Sequence, residues 1–359
     1  MIFKKFLFLC SAVACNSLVA PSAGDWNPII YNSIKWTDAD QGNSTIEYTT
    51  LQGITRVPIA YHGGVDTNAS GKITNENINS FTDWVQIALT KNYCGPVVLD
   101  YEDPWWRELQ AKTVLPERLQ EILDVYLQGI QVAKEVEPSA QWGYWGLPLM
   151  RNTSVPWTDQ GLSLESLVNS CTALYPDIYN CTPEKDTTRQ VEKHISNVLK
   201  LAAGRMPVYV FASVRYCGPE VGHSDFVPDM VFLKQVNAAL HASWVDASGV
   251  QHRIKGIILW DNYGFSQQDE WAALDQKHKY FFELLSALST AWSKKMKGKE
   301  VIVGPTTSSK CQYGLAEPTN SSETIHKIKH RGQPEKVQEA VEENTRIPSE
   351  RLKGNRVVK

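Results

Sequence analysis

The chain has 359 residues, 42% hydrophobic and 21% charged, which is material for one large α/β domain or two smaller ones. A formal net charge of -3 excludes the broad basic footprint of a nucleic-acid binder or a protein drawn to anionic membranes. The 12 tryptophans are many for this length and point instead to flat apolar faces with a polar handle, carbohydrate clefts among them.

The chain opens on MIFKKFLFLCSAVAC, where Lys4 and Lys5 precede a short apolar run and then small residues. That layout predicts a secretory signal peptide over residues 1–23, with a run too short to span a bilayer. Ala23 offers an ordinary cleavage site. Ala12-Val13-Ala14-Cys15 loosely resembles a bacterial lipoprotein box, so lipid attachment at Cys15 is the less expected alternative. No later segment reads as transmembrane, and a secreted or extracytoplasmic protein is expected. Five cysteines follow the leader: Cys94, Cys171, Cys181, Cys217 and Cys311. In an oxidising compartment they imply one or two disulfides and an odd thiol, and their spacing suits no zinc motif. Asn43, Asn68, Asn152, Asn180 and Asn320 begin N-x-Ser/Thr sequons.

Strands are expected at Pro28–Tyr31, Val57–Tyr61, Val97–Glu102, Gln141–Leu147, Tyr175–Tyr179, Val208–Ala212 and Gly256–Trp260. Helices lie between them. Leu119, Ile122, Leu123, Tyr126, Ile130 and Ala133 fall on one face at helical spacing, and so do Val191, Ile195, Val198, Leu199 and Ala202. Further helices are expected over 228–242 and 270–293. Strands alternating with helices imply a parallel sheet. About seven such steps suit a (β/α) TIM-type barrel of seven or eight strands better than an open doubly wound sheet. No glycine-rich phosphate loop follows an early strand, which counts against a nucleotide-binding fold. The barrel domain is expected over 24–294. Residues 295–359 are polar, with little apolar periodicity, and read as a flexible extension.

The chemistry concentrates in PVVLDYEDPWW, residues 96–106. Residues two apart share a strand face, so Val98, Asp100 and Glu102 point one way and Val97, Leu99 and Tyr101 the other. In a barrel the first set faces inward and ends at the C-terminal mouth, where active sites of this fold sit. Two carboxyls on one face of one strand lie about 6–7 Å apart between their α-carbons and resist double ionisation. A protonated carboxyl at a cleft is what glycosidic cleavage needs. Adjacent acids on one strand suit a substrate-assisted route, in which an N-acetyl oxygen of the sugar attacks the anomeric carbon. An isolated Asp-x-Glu more often caps a helix or pairs with surface bases, and Asp103 is assigned to that role.

Several segments, in order, resemble the hyaluronidase family, secreted barrel enzymes that cleave β-N-acetylhexosaminide bonds in hyaluronan and chondroitin. VVLDYEDPWW is similar to the family's apolar strand ending in Asp-Trp-Glu, and WGYWGLP (142–148) resembles Trp-Gly-Phe-Tyr-x-x-Pro. ALYPDIY (173–179) is close to Ala-Leu-Tyr-Pro-Ser-Ile-Tyr. MPVYVFA and GIILW (256–260) resemble two later strands. The likeness covers roughly residues 26–290. It implies Glu102 as general acid/base, Asp100 as the residue assisting the acetamido group, and Tyr179 as a hydrogen-bonding partner of that region. It also implies Trp260 as a wall of the sugar pocket. Trp145 falls where the family carries a catalytic-site tyrosine, with Tyr144 where phenylalanine is usual. Tyr144, Trp145, Tyr101 and Arg215 complete the substrate-binding candidates. The stretch from Glu102 to Trp142 is shorter than in typical members, and nothing near the first strand could partner Cys311.

The resulting expectation is an endo-acting glycosidase of N-acetylated polysaccharides, glycosaminoglycans included, that works as a monomer without cofactor or metal. One alternative keeps the chemistry on a chitin-like or peptidoglycan strand. Another, of a different class, is a carbohydrate-binding barrel that lacks turnover.

Overall fold

A computed structural model describes residues 26–304 except 37, 39, 103, 106, 107, 109–114, 149–164, 184, 218–224 and 300. The leader, Asn152, Cys311, Asn320 and the extension beyond 304 lie outside the described residues.

The described strands are β1 (Ile29–Asn32), β2 (Thr55–Arg56), β3 (Ile59–Ala60), β4 (Pro96–Leu99), β5 (Gln141–Tyr144) and β6 (Tyr209–Ser213). They continue with β7 (Trp244–Val245), β8 (Gln251–His252), β9 (Gly256–Trp260) and β10 (Val301–Ile302). The α-helices are α1 (Asn43–Leu51), α2 (Asn75–Ala88), α3 (Pro116–Val136), α4 (Glu165–Ser170), α5 (Thr188–Ala202), α6 (Asp229–His241) and α7 (Trp271–Met296). None of these helices is long and apolar enough to cross a membrane.

The fold is α/β, with parallel sheets in the orders β2-β1-β9-β6 and β3-β4-β5. These ladders alone do not make a closed barrel. Neighbour relations between the two sheets run through the segment 173–179, which forms only single parallel bridges: Trp145 with Tyr175, Leu174 with Val208, and Asp177 with Phe211. The strand expected there is absent for a physical reason. Pro176 has no N–H to donate, so a continuous ladder cannot form. Its carbonyl still accepts Phe211 N–H at 2.9 Å. Pro58 likewise splits the expected strand Val57–Tyr61 into β2 and β3, with its carbonyl accepting Val98 N–H at 3.0 Å.

Helix faces follow the sequence pattern. Leu119, Ile122, Leu123, Tyr126, Ile130 and Ala133 are all buried on α3, and Val191, Ile195, Val198, Leu199 and Ala202 on α5. Pro116 opens α3 at a position where its missing N–H has no helical partner to lose. Thr74 caps α2 through a reciprocal pair with Asn77. Beyond α7, β10 pairs with β8 beside the antiparallel β7, so the folded part reaches past residue 294.

Strand residues alternate between two cores. Val97 and Leu99 join the large core beneath the helices, whereas Val98 joins an inner cluster with Tyr31, Val57, Ile59, Ala173, Tyr175, Tyr209, Phe211 and Ile258. Tyrosines fill this interior. Tyr175 and Tyr209 stack with centroids 5.6 Å apart, Tyr31 meets Tyr209 edge-on at 5.5 Å, and the Tyr175 and Tyr209 hydroxyls are both held by Gln141. Gly143 makes room for this packing, because a Cβ there would lie 2.2 Å from the Ala173 carbonyl oxygen and 2.9 Å from the Tyr175 ring. Gly143→Ala must push backbone against backbone and is expected to cost about 1–3 kcal/mol, read as a lower urea midpoint at unchanged slope.

Cys181 and Cys217 form a disulfide, Cys94 is disulfide-bonded, and Cys171 is a buried free thiol. Burial pushes Cys171 up to about 12, so it stays an inert thiol.

Candidate functional site

The inner face of each strand continues past the ladder to a set of polar and aromatic side chains at the C-terminal strand ends. Ile59 leads to Tyr61, Val98 to Asp100, Gly143 to Trp145, Tyr175 to Tyr179, and Ile258 to Trp260. Tyr61, Trp145, Tyr179 and Trp260 all pack, partly buried, on the inner cluster. Tyr179 stacks on Trp260 with centroids 5.7 Å apart and planes 23° from parallel, and Trp145 tilts against Tyr179 at 5.6 Å. The Trp260 indole N–H donates to the Tyr61 hydroxyl at 3.3 Å. These four rings form one wall.

Asp100 belongs to this group. Its backbone N–H bonds Ala60 O at 2.9 Å and its carbonyl accepts Gly63 N–H at 3.0 Å, which fixes it beside the β3 end. Burial pushes the Tyr61 and Tyr179 hydroxyls well above the ordinary tyrosine range, and the Asp100 charge adds to both. Burial lowers Lys35, and Asp100 opposes that shift. Lys35 stands over the Tyr61 ring at 4.1 Å. Asp100 therefore sits near two neutral phenols and one cation. Glu102 stands two residues further out, only partly buried, and acts with Asp100 on Tyr126.

Tyr61, Tyr179 and Asp177 each keep accessible surface, yet desolvation dominates their ionisation. We take these strand-end groups, with Asp100, as the candidate recess.

Three candidates are corrected. Tyr144 lies on the opposite face of β5 from Trp145, where its hydroxyl donates to Tyr126 O at 2.7 Å against Gly129. Tyr101 is buried beneath the acids, its hydroxyl donating to Asp66 Oδ2 at 2.7 Å and accepting Trp105 Nε1–H at 3.0 Å. Arg215 is 2% exposed and bound to Asp261 at 2.7 Å, so its charge is spent inside the protein. None of the three reaches the recess, because each follows strand alternation or a buried partner away from it. Asn180, at the start of a sequon, is buried beside the disulfide.

The structure adds Tyr61, Lys35 and Asp177, which sequence reasoning passed over. Strand alternation could have found all three: Tyr61 follows Val57 and Ile59, Lys35 follows Tyr31 and Ser33, and Asp177 lies between Tyr175 and Tyr179. Asp177 Oδ1 accepts Tyr179 N–H at 3.1 Å, and burial raises its carboxyl to about 6 despite that bond. A carboxyl raised in the folded state holds its proton more tightly there, so stability falls as pH rises from about 4 to about 6 and stays lower above. Asp177→Asn keeps the acceptor and removes the charge. It is expected to raise stability at pH 7.5 by about 1 kcal/mol, discounted for partial exposure, and to change little at pH 3.5. Thermal melts at the two pH values check this.

The fold and these strand ends define an α/β protein with an aspartate near a group of partly buried aromatic side chains. No family model and no curated protein matches the chain. Among solved structures, the chain is similar to a monoclinic crystal structure of bee venom hyaluronidase at 16% identity and a TM-score of 0.48, covering 74% of this chain and 99% of that one. It is also similar to bee venom hyaluronidase in complex with a hyaluronic acid tetramer, at 15% identity and a TM-score of 0.47, covering 73% and 98%.

Proposed function

We propose that this protein is an exported glycoside hydrolase that cleaves β-N-acetylhexosaminide bonds within a polysaccharide by substrate-assisted, retaining hydrolysis. The observation that supports this reading is that the Asp100 charge acts on Tyr61 and Tyr179, which pack with Trp145 and Trp260 on the inner cluster, with Glu102 two residues further along. In the first step Glu102 gives its proton to the leaving oxygen while the C1–O bond breaks and the acetamido oxygen bonds C1. Asp100 accepts the acetamido N–H and stabilises the developing positive charge, and Tyr179 supports the same group. Water then attacks C1 as the Glu102 carboxylate takes its proton, which restores the starting configuration. The indole rings supply flat faces for the sugar. The leader and the Cys181–Cys217 bridge fit an oxidising compartment.

One observation favours a second reading, a glycan-binding protein without turnover: the inward side chain just past β5 is the indole of Trp145, where the resembling family carries a hydroxyl. Reducing-end release from hyaluronan, chondroitin and chitin oligosaccharides, with glycan binding measured in parallel, separates the two. Release from one of them supports the enzyme and names its substrate. Binding without release supports the second reading.

A further inference from the structure

Behind the recess lies a buried polar cluster with no place in the chemistry above. Asp261 follows Trp260 directly, is fully buried, and carries three bonds: Oδ1 accepts Arg215 Nε–H at 2.7 Å and Asn262 N–H at 2.8 Å, and Oδ2 lies 2.8 Å from His278 Nε2. His278, on α7, is also fully buried, and its Nδ1 is 3.2 Å from the Tyr263 hydroxyl. Tyr263 donates its one proton to Asp275 Oδ1, which also accepts the Thr45 hydroxyl at 2.7 Å.

One carboxyl thereby ties the end of β9 to α7 through His278 and to the residues after β6 through Arg215. Other charges facing the cluster are Lys277, which acts on Asp261 and Arg215, and Asp229, which acts on Lys277.

The cluster bears on the rim through the backbone. Asp261 O accepts Lys35 N–H at 2.7 Å, and Tyr263 N–H bonds Lys35 O at 3.0 Å. We propose that His278 is the positioning residue of the recess: it clamps Asp261 to α7 and so fixes Trp260 and Lys35 at the strand ends. It touches no substrate and acts through Asp261.

The test is ¹⁵N NMR of the full chain at pH 7. The Trp260 indole signal, assigned by its loss in Trp260→Phe, is expected to shift in His278→Gln and in Asp261→Asn, while the Trp142 indole, bonded to Glu137 O at 2.8 Å, stays put. A Trp260 signal unmoved in either folded variant overturns the proposal. Resting on the glycosidase reading, the same variants should raise KM for the cleaved glycan roughly five- to tenfold with kcat little changed. If the wild type cleaves no glycan, that reading falls while the NMR result still decides this one.

Discussion

Glu102→Gln is expected to lower turnover of the cleaved glycan by roughly 10²–10⁴-fold, the usual contribution of a general acid. Its amide is close in size to the acid and can still donate a hydrogen bond to a glycosidic oxygen, but it cannot release a proton to it. Glycan affinity should therefore stay within a few-fold of wild type, and the loss should fall on kcat. Glu102 is only partly buried, so the folded state should tolerate the change with little effect on the melting midpoint. Asp100→Asn is the informative companion. If Asp100 steadies the acetamido cation, its amide must lose activity even though Glu102 keeps its proton. A Glu102→Gln protein as active as wild type would falsify the mechanism proposed here.

The largest loss of stability is expected at Arg215→Met. The guanidinium and Asp261 are 2% and 0% exposed, and removing one partner leaves the other charge buried without its counterion. That situation typically costs about 3–5 kcal/mol. The bond to Ser266 Oγ at 2.8 Å and the stacking on Phe226 at 4.2 Å are lost with it. Adding Asp261→Leu to the same chain removes the stranded carboxylate, so the double variant should fall short of the sum of the two single changes. A urea-unfolding double-mutant cycle measures this. If Arg215→Met unfolds at the wild-type midpoint, the pair adds nothing to the fold.

What could be read from the sequence was periodic and local. α3 and α5 lie where the 3.6-residue spacing put them, because an amphipathic face has one way to bury itself. Asp100 and Trp260 reach the recess because alternation along a strand is as regular. The failures have nameable causes. Prolines at 58 and 176 interrupt ladders that apolar content alone suggested. Tyr101 and Arg215 were misjudged because their partners, Asp66 and Asp261, lie 35 and 46 positions away, at distances no local pattern reports. Tyr144 was the avoidable error. Its own strand parity sends it toward Gly129 and leaves Trp145 facing in, so the aromatic pair could have been sorted before any coordinates.

The packed phenols of Tyr31, Tyr175 and Tyr209 have one further consequence. They fill the inner cluster on which Tyr61, Trp145, Tyr179 and Trp260 pack, so the space between the strands is occupied by side chains and only the strand ends are left to meet a ligand.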